Sequence, residues 1–149
     1  MSSAEVICGA EPLRGGHESQ PYPVEHLTFY GETKQLGEQA VLSAADDELA
    51  TCAMRSFGIF GEGDNTVIPS YLSRLIGNRV APVGDGSGRT DTVYAVNLAH
   101  AMLLAAEHLT PDAAWSGGAF HVTDHDPVNM QQYLHEVTEP LGITFMDRV

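Results

Sequence analysis

Short apolar runs alternate with longer stretches of helical periodicity, and that alternation restricts the fold of this chain more than any other feature. Ala50 to Met54 and Ala119 to Val122 are brief apolar runs of the kind a buried parallel strand shows. Ser3 to Ile7 reads as the close of another strand, and Val80 to Val83 as a short extended piece. Helices are expected between them. The first runs from about His26 to Ala45, with Leu36, Ala40 and Val41 at helical spacing. A second starts near Thr66, with Ile68, Tyr71, Leu72, Leu75 and Ile76 on one face and Gly77-Asn78 as its stop. Asn97 caps a third, which aligns Leu98, Met102 and Ala105 and ends near Leu109. Asp126-Pro127 opens a fourth that reaches about Thr138. Glycines and prolines make loops of Cys8 to Val24 and of Gly84 to Gly88. Strands that alternate with helices predict an α/β class with a mostly parallel sheet.

Composition narrows the partners. The chain has 149 residues, a length suited to one domain. Its 20 acidic residues face only 7 Lys plus Arg, for a formal charge of −13. Binding to a nucleic-acid backbone or to anionic lipid needs clustered cations, so neither partner is expected. No apolar run approaches the roughly 20 residues of a membrane span, and Met1 to Glu5 lacks the features of a secretory signal. Cys8 and Cys52 form no CxxC pattern and read as two buried thiols in a reducing compartment, hence a cytoplasmic protein.

The strongest chemical signal is Tyr30-Gly31-Glu32-Thr33-Lys34. Residues four apart share one face of a helix, so phenol and ammonium point the same way. Free tyrosine is a poor base at neutral pH, and a nearby cation favours the phenolate. Such a tyrosine can take a proton from an alcohol while hydride leaves the same carbon. The bland alternative is a packed tyrosine beside a solvated lysine. Other candidates fall away. Gly61-Glu62-Gly63-Asp64 lacks a third glycine and carries two acids that repel phosphate. His121 and His125, with Asp124 and Asp126, do not converge as ligands on a strand-to-loop segment, so no metal is expected. Asp85-Gly86-Ser87 lacks the glutamate of a calcium loop, where Val96 stands. Trp115 reads as packing.

Around the Tyr–Lys pair stand Ser2-Ser3-Ala4-Glu5-Val6, Pro21-Tyr22-Pro23, Thr51 to Asp64, Asp91 to Ala99 and Ala119 to Asp124. Their order and spacing resemble the extended short-chain dehydrogenases, and within them the 3β-hydroxysteroid dehydrogenase/isomerase family with its sterol-4α-carboxylate 3-dehydrogenase relatives. The resemblance implies an incomplete doubly wound, Rossmann-like parallel sheet plus a small substrate-binding part. Residues about 1–64 and 84–110 would form the core, and about 65–83 and 111–149 the substrate-binding part. It implies Tyr30 as base, Lys34 as holder of the nicotinamide ribose, and Ser3 as the group that orients the substrate oxygen. Ser56, Phe57, Gly58 and Ile59 would meet the nicotinamide of NAD or NADP. The family usually has proline where Ser56 stands, which loosens that loop. The residues that choose between the two cofactors, and the glycine-rich pyrophosphate turn, would lie in a preceding half not included here. The implied substrate is a sterol- or steroid-like alcohol. A nucleotide-sugar epimerase or dehydratase is the alternative enzyme, and a truncated non-catalytic binding module the third reading. A sheet without its first strands exposes an edge and predicts a homodimer.

Overall fold

The computed structural model describes residues 1–76 and 87–142. The helix stop expected at Gly77-Asn78, the extended piece expected at Val80 to Val83 and the loop around Asp85 lie outside them. Two units are found: Met1–Phe57 with Val96–Thr123, and the described residues of Gly58–Ala95 and Asp124–Val149.

The first unit holds a three-stranded parallel sheet in the order β1-β2-β6. Its strands are β1 (Ser2–Ser3), β2 (Cys52–Ser56) and β6 (Gly118–His121). The register places Ser2 opposite Arg55 and Ser3 opposite Ser56, while Arg55 also faces His121. The carboxyl ends of all three strands therefore line up around Arg55 and Ser56. The apolar run was visible in the sequence, but pairing carries β2 two residues further, to Ser56. The chain leaves β1 after only two residues and enters a 3₁₀ turn over Ala4–Ile7, where an extended strand was expected. The hydroxyl oxygen of Ser3 accepts from the Glu5 amide there, which caps the turn and ends the strand.

Helix α1 (Phe29–Leu42) starts three residues later than expected because Thr28 caps it, accepting from the Gly31 amide at 3.0 Å. Its apolar residues do not mark its buried face. Leu36 and Val41 are exposed, while Gly31 and Glu38 are buried. Arg55 on β2 demands that inversion, because its buried guanidinium needs a carboxylate across from it. Helix α3 (Ala95–His108) begins before Asn97, which therefore sits in the first turn rather than at the cap. Cys52 and Met54 alternate with Ala53 and Arg55 along β2, and line an apolar cavity of about 340 Å³ with Met1 and with Met102, Ala105 and Leu109 from α3 and its end. Both cysteines are half-buried rather than buried.

Gly31 explains how closely α1 approaches. A Cβ there would lie 3.0 Å from the Glu5 carbonyl oxygen, whereas one on Gly37 would meet nothing within 4 Å. Gly37→Ala is therefore expected to stabilise the first unit by about 1 kcal/mol, the helical preference of alanine over glycine. Gly31→Ala should show no such gain, because overpacking costs about 1–3 kcal/mol. Urea midpoints of the two variants check this; equal gains would refute the close approach.

The second unit pairs β3 (Ile59–Phe60) with β5 (Val93–Tyr94) in parallel, and β4 (Arg89–Thr90) with β7 (Val128–Asn129) antiparallel. Among its described residues, Val93, Leu134 and Thr138 are buried. Helix α2 (Val67–Ile76) is capped by Asp64, whose carboxylate accepts from the amides of Thr66, Val67 and Ile68 at 2.8–3.0 Å. Asn129 caps α4 (Met130–Thr138), three residues beyond the expected Asp126. The reason is β7, which pairs Val128 and Asn129 with β4 before the helix can start.

Candidate active site

Tyr30 and Lys34 stand on the first turns of α1. Lys34 Nζ lies 5.6 Å from the centroid of the Tyr30 ring, and Tyr30 is 49% exposed. Tyr30 thus lies away from the packed side of the helix, with Lys34 half-buried beside it. Ser3 is buried at the end of β1. Helix α1 packs on both β1 and the 3₁₀ turn that follows Ser3.

Two residues that the sequence did not single out join these elements. Thr28 Oγ1 donates to Glu5 Oε2 at 3.0 Å while it caps Gly31, and the Glu5 amide donates to Ser3 Oγ at 3.2 Å. A continuous set of hydrogen bonds thus runs from Ser3 through Glu5 and Thr28 to the residue beside Tyr30. Thr28 carried a signal, since threonine is a preferred cap. Glu5 carried none, because its partner is 23 residues away.

Ser56 is buried and closes β2 beside Ser3, so it belongs to the sheet rather than to a loosened loop. Phe57 follows at 37% exposure. Gly58 and Ile59 belong to the second unit. Gly58 has φ +53°, and a Cβ on it would lie 2.8 Å from Thr92 Cγ2, so both backbone and space require glycine there.

Behind the helix lies a buried ionic cluster. Glu38 Oε1 accepts from Arg55 Nη2 at 2.6 Å and from Nε at 3.1 Å, and the Tyr22 hydroxyl donates to it at 2.7 Å. Burial alone would raise the Glu38 pKa, but the Arg55 guanidinium holds it below the ordinary carboxylate value. Burial and the bond to Glu38 push the Tyr22 phenol up. The His121 amide donates to Glu18 Oε1 at 3.0 Å, and the buried His121 Nε2 has no hydrogen-bond partner among the described residues. Burial, then the charge of Arg55, push His121 below its ordinary value of 6.5.

Both depressed groups act in one direction. The fold disfavours the imidazolium of His121, which forms in the unfolded chain below about pH 6.5, and favours the carboxylate of Glu38, which protonates in the unfolded chain below about pH 4.5. Stability is therefore complete above pH 6.5 and falls as the solution is acidified. A urea midpoint that declines from pH 7 to pH 5, and a flatter profile for His121→Gln, are the expected results. An unchanged midpoint across that window would refute the assignment.

The N-terminus of α2, beside the glycines at 61 and 63, is filled by the Asp64 carboxylate and so offers no cradle for a phosphate. Among the described residues, no three His, Cys, Asp or Glu side chains come together as metal ligands.

A family model described as the 3-beta hydroxysteroid dehydrogenase/isomerase family matches residues 1–149. The chain is 38% identical over 143 residues to a 3 beta-hydroxysteroid dehydrogenase/Delta 5→4-isomerase of Mycobacterium tuberculosis, covering 95% of this chain and 39% of the relative. It is 36% identical over 144 residues to the mouse sterol-4-alpha-carboxylate 3-dehydrogenase, decarboxylating, covering 95% and 40%. It thus spans about two fifths of these relatives' length. Among solved structures it resembles dTDP-glucose 4,6-dehydratase from Bacillus anthracis in complex with NAD, with TM-score 0.71 and 16% identity over 96% of this chain and 45% of that one. It also resembles RMD from Pseudomonas aeruginosa complexed with NADPH, with TM-score 0.67 and 19% identity over 97% and 51%. At such identities the likeness establishes the partial Rossmann-like fold.

Proposed function

The chain belongs to the 3-beta hydroxysteroid dehydrogenase/isomerase family, and on that premise we propose that it is the substrate-side part of an NAD(P)-dependent dehydrogenase acting on the CH–OH group of a sterol or steroid. The observation that carries this reading is the Tyr30–Lys34 pair, with Tyr30 half exposed on a helix joined by hydrogen bonds to the segment of Ser3.

Tyr30 takes the hydroxyl proton of the substrate. Lys34 holds the ribose of the cofactor and favours the phenolate. Ser3 uses its oxygen to accept from Glu5, which leaves its own proton for the substrate oxygen. The bound nicotinamide supplies the hydride acceptor. The residues present suit that end of the cofactor: the half-exposed Tyr30 and Lys34 on α1, with Ser56 and Phe57 at the carboxyl end of β2. They do not suit the pyrophosphate, for which the one glycine-rich helix start described is occupied by Asp64. In this reading residues about 65–83 and 111–149 form the substrate-binding part, to which α2 contributes Val67, Ile68 and Leu72. The apolar residues of this helix favour a sterol over a nucleotide sugar, whose diphosphate would want paired arginines. Two free thiols support a cytoplasmic site, and no helix of the described residues is long and apolar enough to cross a membrane. Phe29 and Leu36, seven residues apart and exposed on α1, support a homodimer.

The test has two arms. This chain alone should bind NAD weakly or not at all by calorimetric titration; a micromolar dissociation constant would place the pyrophosphate site within it. Joined to the cofactor-binding half of the mycobacterial relative, it should oxidise a 3β-hydroxysterol at saturating NAD. Turnover of UDP-galactose with none of the sterol would instead favour the epimerase reading, which the solved structures of dehydratases keep in view.

A further inference from the structure

Loop residues 17–22 are held at three points, two of them on one buried ion pair and the third on the strand residue that faces Arg55. The Tyr22 hydroxyl donates to Glu38 at 2.7 Å, and its ring lies 5.7 Å from Arg55 Cζ. Arg55 Nη1 lies 3.5 Å from the Glu18 carbonyl oxygen. Glu18 Oε1 accepts from the amide of His121, the residue that pairs with Arg55 across β2 and β6. The Glu38 and Arg55 side chains are 0% and 4% exposed. A loop rich in polar residues has little apolar surface with which to hold itself on a sheet. Here it is held by charge.

We propose that Glu38 and Arg55 are positioning residues, which fix the 17–22 segment across the carboxyl ends of β2 and β6, on the helix that carries Tyr30 and Lys34, as a rigid wall for the substrate. The role as a wall rests on the dehydrogenase reading above; the fixing of the segment does not. In parallel α/β sheets ligands bind beyond the carboxyl ends of the strands, so a segment tied there shapes what can enter. Glu38 lies one and two helical turns from Lys34 and Tyr30, so the same helix sets the place of the base and of the wall. A buried ion pair serves poorly as a stabiliser, since apolar residues of similar volume often do as well or better. Its fork of hydrogen bonds gives direction, which apolar packing lacks.

That difference supplies the experiment. In the 149-residue chain, hydrogen exchange and melting are measured for Glu38→Leu/Arg55→Met and for Tyr22→Phe. The double variant should melt near the unaltered chain, while the amides of His121 and Gln20, which donate to Glu18 Oε1 and to the His17 carbonyl, exchange at least tenfold faster and Ala53 and Met54 stay protected. Tyr22→Phe, which leaves the pair whole, should quicken exchange of the Gln20 and His121 amides severalfold with little change in melting, and decides the matter if the double variant fails to fold. Unchanged exchange in Tyr22→Phe, or in a folded double variant, would overturn the proposal. In the two-half enzyme, Tyr22→Phe should raise KM for the sterol more than it lowers kcat; an unaltered KM would overturn the role as a wall. Exchange is read without substrate or cofactor. An enzyme without turnover therefore counts against the dehydrogenase reading alone, while the exchange result still decides the positioning.

Discussion

Tyr30→Phe, in this chain joined to a cofactor-binding half, is expected to lower turnover of a 3β-hydroxysterol by about 10²–10⁴-fold, the range that a positioned acid or base contributes. NAD affinity should change little, because only the phenol oxygen is removed and the half-exposed ring keeps its place over Lys34. Lys34→Ala should harm both, since in the proposed reading the ammonium holds the ribose as well as assisting the phenol. Steady-state rates with a parallel binding titration separate the two variants. Near-normal turnover in Tyr30→Phe would remove the tyrosine from the chemistry, whatever the family.

Arg55→Ala carries the largest expected effect on stability. It leaves Glu38 and the Tyr22 hydroxyl without their cation in a site where the Glu38 side chain is 0% exposed. Breaking a buried pair in this way costs about 3–5 kcal/mol. Domains of this size are stable by only about 5–15 kcal/mol, so the variant should be partly or wholly unfolded at ambient temperature. Circular dichroism melts decide it. A loss below about 1 kcal/mol, as for an exposed pair, would mean the cluster is open to water.

How much of this was legible in the sequence follows from the range of the interactions. The spacing of Tyr30 and Lys34 is local, and the helix carries it unchanged into the structure. The α/β class was legible for the same reason, since strand and helix periods are properties of short windows. Element boundaries were less so. The start of α1 at Phe29 depends on the Thr28 cap, and the late start of α4 on the pairing of β7 with β4. The helical spacing of Leu36, Ala40 and Val41 marked the helix but not its buried face, because periodicity shows which residues share a face but not which face finds a partner.

By itself, then, the sequence determined the order of strands and helices, the Tyr–Lys pair and the resemblance to one dehydrogenase family, all carried by residues close together in the chain. Tertiary structure alone decided that Glu38 turns inward to Arg55, 17 residues away, and that Glu18 reaches His121 across 103 residues. It also decided that Glu5 and Thr28 join Ser3 to the helix of Tyr30. Charged and polar side chains of this kind read as surface in a linear pattern. Only when the chain closes around Arg55 does a buried cation require their carboxylates and hydroxyls, and that requirement has no local period to betray it.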